Sequence, residues 1–211
     1  MFDVISFGTA TYDVFLRSEG MQVENNDGMK DLCFRLGAKL EVKEIYFDYG
    51  GGGTNSATTF KRQGLNTACV VQVGGDTFGQ RILADLTKER ICTDLINIQK
   101  DNYTDYSTIL WAPDGGRTIL VYRGKTRLEV ENIPRDKLDT KWFYVSSLEG
   151  NLEIVEKLQG KIMWNPGNRE LKQREKVLEL LPKITILNVN KEEMEELLNV
   201  QCTMYNVQTL L

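Results

Sequence analysis

The 211-residue chain contains no histidine. That excludes Ser-His-Asp triads, Cys-His dyads, HExxH zinc sites and imidazole general bases. Any chemistry must run on Asp, Glu, Lys, Arg, Asn, hydroxyls, backbone amides or a metal held by oxygen. Cysteine is scarce: Cys33, Cys69, Cys92 and Cys202 form no CxxC pair, which argues for reduced thiols in a cytoplasm rather than a disulfide framework. No basic block occurs and the net charge is −4, so an acidic solvated surface is expected, with no nucleic-acid partner. Apolar runs are short, as in "CVVQV" at 69–73, so no membrane span is expected. The opening "MFDVISFG" lacks a basic segment followed by a long apolar one, and reads as a strand rather than a signal peptide. At 41% hydrophobic and 27% charged residues, an ordinary globular domain is expected.

What is present alternates between strands and helices. Residues 2–8 read as a buried strand. Residues 32–49 carry alternating apolar positions, Leu32, Phe34 and Leu36, then Leu40 and Val42. This predicts a two-stranded antiparallel ribbon, a candidate lid together with 13–18. A helix is expected from Asn55 to about Arg62, closed by Gly64, then a strand over 67–73 and a helix over 77–91. "PDGG" at 113–116 has the turn chemistry of a hairpin. Three strand–helix units follow: 142–148 with 151–159, 161–166 with 169–182, and 184–190 with 191–199. Such alternation argues for a parallel sheet covered by helices on both faces. The last twelve residues complete no further unit and read as an irregular tail.

The stretch "DYGGGGTNSA" places four glycines, Gly50 to Gly53, at a helix entrance. Unpaired amides there form a ready site for an anion or ligand. A GxGxxG dinucleotide fingerprint fails, because Asn55 stands at the third glycine position. A GxxxxGK[ST] phosphate loop fails too: "GKT" occurs at 124–126, but its leading position is Ile119.

A third pattern fits. Gly52, Gly53, Asn55, Ala57, Gly64 and Gly74 stand at the spacing of the first signature of the ribokinase-like (PfkB) carbohydrate kinases. Six positions over 23 residues agree. "FGTATYDVF" (7–15), "GGDTFG" (74–79), "DGGRTILVYRG" (114–124), "WNPG" (164–167) and "NVNKEEMEEL" (188–197) resemble further family elements. The resemblance covers about residues 2–199. It implies an α/β fold, a ribokinase-like three-layer α/β/α sandwich with a small β-sheet lid, and ATP-dependent phosphorylation of a sugar or nucleoside hydroxyl.

The resemblance also suggests roles. Asp13 is expected to accept hydrogen bonds from sugar hydroxyls, which a carboxylate does strongly. Gly51 and Gly52 would offer backbone N–H groups to the sugar, and Asn55 both a donor and an acceptor. Asn190 and Glu193 would organise Mg²⁺ and its waters near the ATP phosphates; a reciprocal helix cap explains the same two residues equally well. Asn165 is a further residue on the nucleotide side. Asp76 is expected to cap the following helix. Glu149 is placed near the sugar and Arg123 on the lid side, neither with an assigned role. Some relatives dimerise through their lids, so a homodimer is a candidate assembly.

Family members also carry a Gly-Ala-Gly-Asp element. Its Asp takes the proton from the acceptor hydroxyl, and its amides stabilise the charge on the transferred phosphoryl. The 211 residues contain neither GAGD nor a similar D-T-x-G-x-G-D. The sequence therefore reads as a family chain lacking its C-terminal part, with weak or no turnover alone. A sugar-binding pseudokinase or a gene fragment is the alternative.

Overall fold

A computed structural model describes residues 1–125 and 127–199; Thr126 and the expected tail at 200–211 lie outside the described residues. Strand β1 (Phe2–Phe7) ends in four buried residues, the pattern of a strand covered on both faces. The chain then leaves the main body. Strand β2 (Thr11–Arg17) is followed by a tight hairpin of β3 (Gln22–Asn26) and β4 (Met29–Cys33). Asp27 and Gly28 turn it with φ of 48° and 84°, the positive values an Asp-Gly two-residue turn supplies. Strand β5 (Glu44–Gly50) returns antiparallel to β2, pairing Asp13 with Asp48 and Thr11 with Gly50.

This corrects the expected ribbon over 32–49. Its second half is a strand, but its partner is β2, while residues 34–43 form no strand and Leu36 is fully exposed. The Asp-Gly turn captures residues 29–33 for a local hairpin, and alternation alone does not name a partner.

Helix α1 (Gly52–Arg62) begins inside the glycine run, three residues before the expected start. The expected strand at 67–73 divides at Val71. Strand β6 (Thr67–Val70) pairs in parallel with β1, and β7 (Gln72–Gly74) pairs with β8 (Asn97–Gln99). Between them lies α2 (Thr77–Lys88), capped by Asp76, whose Oδ1 accepts from the Gly79 amide at 2.9 Å. Strands β9 (Asp105–Trp111) and β10 (Arg117–Tyr122) form the expected hairpin.

The last part delivers the three strand–helix units in shortened form. They comprise β11 (Thr140–Val145), α3 (Glu153–Lys157), β12 (Ile162–Trp164), α4 (Asn168–Leu171), α5 (Arg174–Leu180), β13 (Ile186–Leu187) and α6 (Lys191–Leu198). The long helix expected over 169–182 is broken between Leu171 and Arg174.

Two sheets result. The central one is parallel throughout, in the order β13-β12-β11-β1-β6; the lid sheet runs β10-β9-β2-β5. Alternation within the central strands separates its faces. Ile5, Phe7, Phe143, Val145, Ile162 and Trp164 pack with α3, α4 and α5. On the opposite face Ser6 donates to the Gly53 carbonyl at 2.9 Å, and Tyr144 meets Phe60 of α1 edge to face. Helices therefore lie on both faces, as the expected three-layer arrangement requires, with α1 covering its face beside β1 and β6. A second core joins the lid to the body through Tyr12, Val14, Ala57, Val71, Ile82 and Leu86. No helix among the described residues is long and apolar enough to cross a membrane.

Candidate functional site

From β1 the chain adds β6 on one side, then returns to place β11, β12 and β13 on the other. The order therefore reverses at the β1/β11 boundary, and crevices beyond the carboxyl ends of such strands bind ligands in open α/β sheets. A cavity of about 180 Å³ lies there. Gly8, Thr9 and Ala10 line it from the end of β1, Leu148 and Glu149 from beyond β11, and Asp105 and Arg123 from the lid hairpin.

The glycine run packs behind Thr9 and Ala10 of this lining, and its composition has a packing cause. A Cβ on Gly50 would stand 2.0 Å from Oδ2 of Asp13. Gly51 has φ of 97°, in the left-handed region glycine favours, and its Cβ would stand 2.4 Å from the Thr9 carbonyl oxygen. A Cβ on Gly52 would meet Ser146 Oγ at 2.4 Å. Side chains of Asp13 and Ser146 and the backbone at Thr9 occupy the space that a Cβ would need. Two of the amides are already used: Gly52 N–H donates to Thr9 Oγ1 at 3.1 Å and Gly53 N–H to the Thr9 carbonyl at 3.0 Å.

Asp13 lies within β2, in the lid sheet, directly opposite Asp48 on β5 and Ser107 on β9. Its Oδ1 is buried and has no hydrogen-bond partner. Among the described residues only one other buried side-chain polar atom lacks a partner, the Trp164 indole nitrogen, deep in the α3–α5 core. Burial raises the Asp13 pKa above the ordinary value; the Ser107 and Thr11 hydroxyls work against this, and the Asp48 charge adds to it. A buried carboxylate oxygen without a partner costs free energy.

In the cavity lining, Glu149 takes φ of 56°. Arg169 Nη1 reaches its Oε2 at 2.5 Å, and Arg123 Nε stands 3.9 Å from Oε1. Arg123 Nη1 also meets the buried Asp105 at 3.2 Å. The loop carrying Glu149 is shaped by Glu170, which is fully buried. Glu170 accepts from the amides of Leu148 (2.9 Å), Gly150 (2.6 Å) and Gly167 (2.7 Å). Sequence reasoning missed Asp105, Arg169 and Glu170. Their partners lie some 20 residues away, and no short motif marks them.

Asn55 sits on the first turn of α1, exposed, and lines a separate groove with Asp48, Tyr49, Thr58 and Arg62. The structure thus brings Asp13 to the glycine run and leaves Asn55 on a neighbouring surface. Asn190 and Glu193 form a reciprocal cap on α6: Glu193 N–H donates to Asn190 Oδ1 at 2.8 Å, and Asn190 N–H to Glu193 Oε2 at 2.9 Å. Asn165 Nδ2 donates to the Asn188 carbonyl at 2.6 Å, tying the ends of β12 and β13. All three lie on the same carboxyl edge as Glu149. At about 4.8 Å per strand, β13 is roughly 14 Å from β1. Among the described residues no group of three or more acidic or thiol side chains could hold a metal. One oxygen of Glu193 is engaged in the cap, which leaves the other for a water of a hydrated Mg²⁺, an ion that keeps several waters.

Comparison with known proteins now decides the lineage. The profile of the pfkB family carbohydrate kinases matches residues 1–209. The chain belongs to this family. Mouse ribokinase is 27% identical over 90 residues, 43% of this chain and 28% of that protein. The fold is similar to that of the Methanocaldococcus jannaschii nucleoside kinase, an archaeal ribokinase-family member, with a TM-score of 0.76 at 18% identity. That match covers 98% of this chain and 67% of the other. Arabidopsis thaliana ribokinase, solved with ribose and ATP, matches with a TM-score of 0.74 at 17% identity, over 98% of this chain and 66% of that one. Burkholderia thailandensis nucleoside kinase, solved with inosine, matches at 0.74 and 15% identity, with 98% and 66% covered. The chain spans about two thirds of the length of these solved structures and a smaller part of mouse ribokinase.

Proposed function

We propose that this pfkB-family chain carries the acceptor-binding part of an ATP-dependent kinase that phosphorylates a hydroxyl of a sugar or nucleoside. The observation carrying this reading is the buried, unpartnered Oδ1 of Asp13 beside the glycine run. A ligand hydroxyl would supply the missing donor, in a charge-assisted hydrogen bond. The Gly51–Gly52 backbone follows Gly50, which packs on Asp13, and Asn55, at the neighbouring groove, is the second acceptor contact in this reading. Asn165, Asn190 and Glu193, further along the same edge, are the residues toward the ATP phosphates and a water-coordinated Mg²⁺. The bound cation would neutralise charge on the transferred group.

The 211 residues hold no Gly-Ala-Gly-Asp, so they supply no family base for the acceptor proton. We infer that these residues alone bind acceptor better than they turn it over. Titration calorimetry with sugars, nucleosides and ATP, beside a coupled kinase assay, tests both points. The expected result is acceptor binding that Asp13→Asn weakens at least tenfold, with little phosphorylation. Turnover at ordinary kinase rates, on the order of 1–100 per second, would refute the second point; acceptor binding indifferent to Asp13→Asn would refute the first.

The reading extends to setting and assembly. The described cysteines, Cys33, Cys69 and Cys92, are free thiols, which suits a reducing cytoplasm. Strand β10 is exposed along all six residues although it carries Ile119, Leu120, Val121 and Tyr122. A bare apolar edge strand invites pairing, and a second copy of the lid would cover it symmetrically.

A further inference from the structure

Glu149 lines the cavity at the strand-order reversal with a backbone that its residue type does not favour. Its φ is 56° and that of Gly150 is 84°. The two are the central residues of a tight turn, which the Asn151 amide closes on the Leu148 carbonyl at 3.1 Å. Positive φ at both central positions suits glycine, asparagine and aspartate. Position 150 has a glycine; position 149 keeps a glutamate and carries the strain. Such strain persists only where the surroundings fix it, and it concentrates at functional sites.

The fixing group is the fully buried Glu170. Its Oε1 accepts from the Leu148 and Gly150 amides, on either side of Glu149, at 2.9 and 2.6 Å. Its Oε2 accepts from the Gly167 amide at 2.7 Å and from Ser147 Oγ at 3.4 Å. Gln173 Nε2 adds a bond to the Gly150 carbonyl at 2.8 Å. What the clamped turn presents is the Glu149 carboxylate. Oε2 meets Arg169 of α4 at 2.5 Å, and Oε1 stands 3.9 Å from Nε of Arg123, an ion pair beyond hydrogen-bond range. Arg123 belongs to the base of the lid hairpin. There its Nη1 pairs with Asp105 at 3.2 Å, and the Gly124 amide donates to Asp105 at 2.8 Å. Asp105 pairs with Thr11, and Ser107 with Asp13, so the placement of this base carries the placement of Asp13.

We propose that Glu170 is a positioning residue that acts through Glu149. By holding the strained turn it fixes where Glu149 meets Arg123, and so holds the base of the lid and with it Asp13. Its effect on ligand affinity rests on the acceptor-binding reading; its effect on the lid does not.

The test compares wild type, Glu170→Gln, Glu149→Gln, the double variant and Asp13→Asn, each first shown to be folded by circular dichroism. Val177→Ala, a core truncation in α5, is the control for general loss of stability. Amide hydrogen exchange over residues 104–124, measured without ligand, reports the lid. Calorimetry with ribose and with inosine reports the acceptor site. Glu170→Gln and Glu149→Gln should each speed lid exchange and weaken a bound probe at least ~3-fold. A residue acting through another has nothing to act on once that partner is gone. The double variant should therefore match Glu149→Gln in both readouts, while keeping the lower Tm that Glu170→Gln brings. Val177→Ala should lower Tm and leave lid exchange and affinity as they are. A lid or an affinity indifferent to Glu170→Gln, an equal change in Val177→Ala, or a further change in the double variant would each overturn the proposal. If Glu170→Gln does not fold, Glu149→Gln decides, and an unchanged lid there overturns it; if neither probe binds, lid exchange alone decides. Lid changes as expected with probe binding that ignores Asp13→Asn would keep the positioning role and remove the acceptor reading. Binding that needs Asp13 but ignores Glu170→Gln would keep the acceptor reading alone.

Discussion

Asp13 holds an ionisable group in a half-buried position beside a like charge. Its neighbour across β5 is another carboxylate, Asp48, and like charges directly opposite are destabilising. Burial raises its pKa, so folding favours the protonated acid. The resulting destabilisation is absent below the ordinary carboxylate range and grows as pH rises through the raised value. Asp13→Asn should therefore stabilise the ligand-free chain at pH 7 by about 1 kcal/mol, a gain of roughly 2–4 °C in Tm for a chain of this size. The gain should vanish near pH 3. Thermal unfolding followed by circular dichroism across that range checks it; a gain independent of pH would assign the effect to packing instead. Asn190 and Glu193 make the opposite case. Their cap is complete, so their geometry is explained without any nucleotide, and the role proposed for them toward one rests on the edge they occupy.

The loop from Ser147 to Gly150 depends on an element whose sequence says little about it. Glu170, in α4, gathers the Leu148, Gly150 and Gly167 amides onto one carboxylate. A glutamine there would turn an NH₂ group toward donors that need an acceptor. Glu170→Gln is expected to cost about 2–3 kcal/mol and to lower Tm by roughly 5–10 °C, read by thermal denaturation. A shift below about 2 °C would mean that the loop is held by its other contacts. The element boundaries show how much was legible beforehand. Strand β1, the β9–β10 hairpin and the starts of α2 and α6 fall where turn and capping chemistry placed them, because those signals act within a few residues. The ribbon over 32–49 does not, because the partner of β5 is β2, whose pairing spans from Arg17–Glu44 to Thr11–Gly50.

Among the described residues, two apolar surfaces lie open. One is the lid edge at β10. The other is a groove of about 420 Å³ on the α1 face of the central sheet, lined by Phe60, Trp142, Tyr144, Met163 and Ile186. Parallel sheets are ordinarily covered on both faces, and the solved family structures that match are longer than this chain. For the lid, self-association is the expected outcome. Light scattering should give about twice the 24.1 kDa monomer mass, and Leu120→Lys, at a residue 56% exposed, should return the chain to a monomer without lowering Tm. A wild-type monomer across the micromolar range would end that proposal.

Family membership was readable from the sequence because Gly52, Gly53, Asn55, Ala57, Gly64 and Gly74 resemble the family's first signature, which lies in one continuous segment from the start of α1 to the end of β7. The absence of histidine likewise narrowed the chemistry before any fold was known. The charge arrangement of the cavity was not readable in this way. Asp105, Arg123, Arg127, Glu149 and Arg169 lie on separate segments, and strand order with lid register brings them together. The reason each glycine is needed was equally hidden. Gly50 yields its space to Asp13, Gly51 to the Thr9 carbonyl and Gly52 to Ser146. Close approach between distant segments is a property of packing, and local spacing carries no record of it.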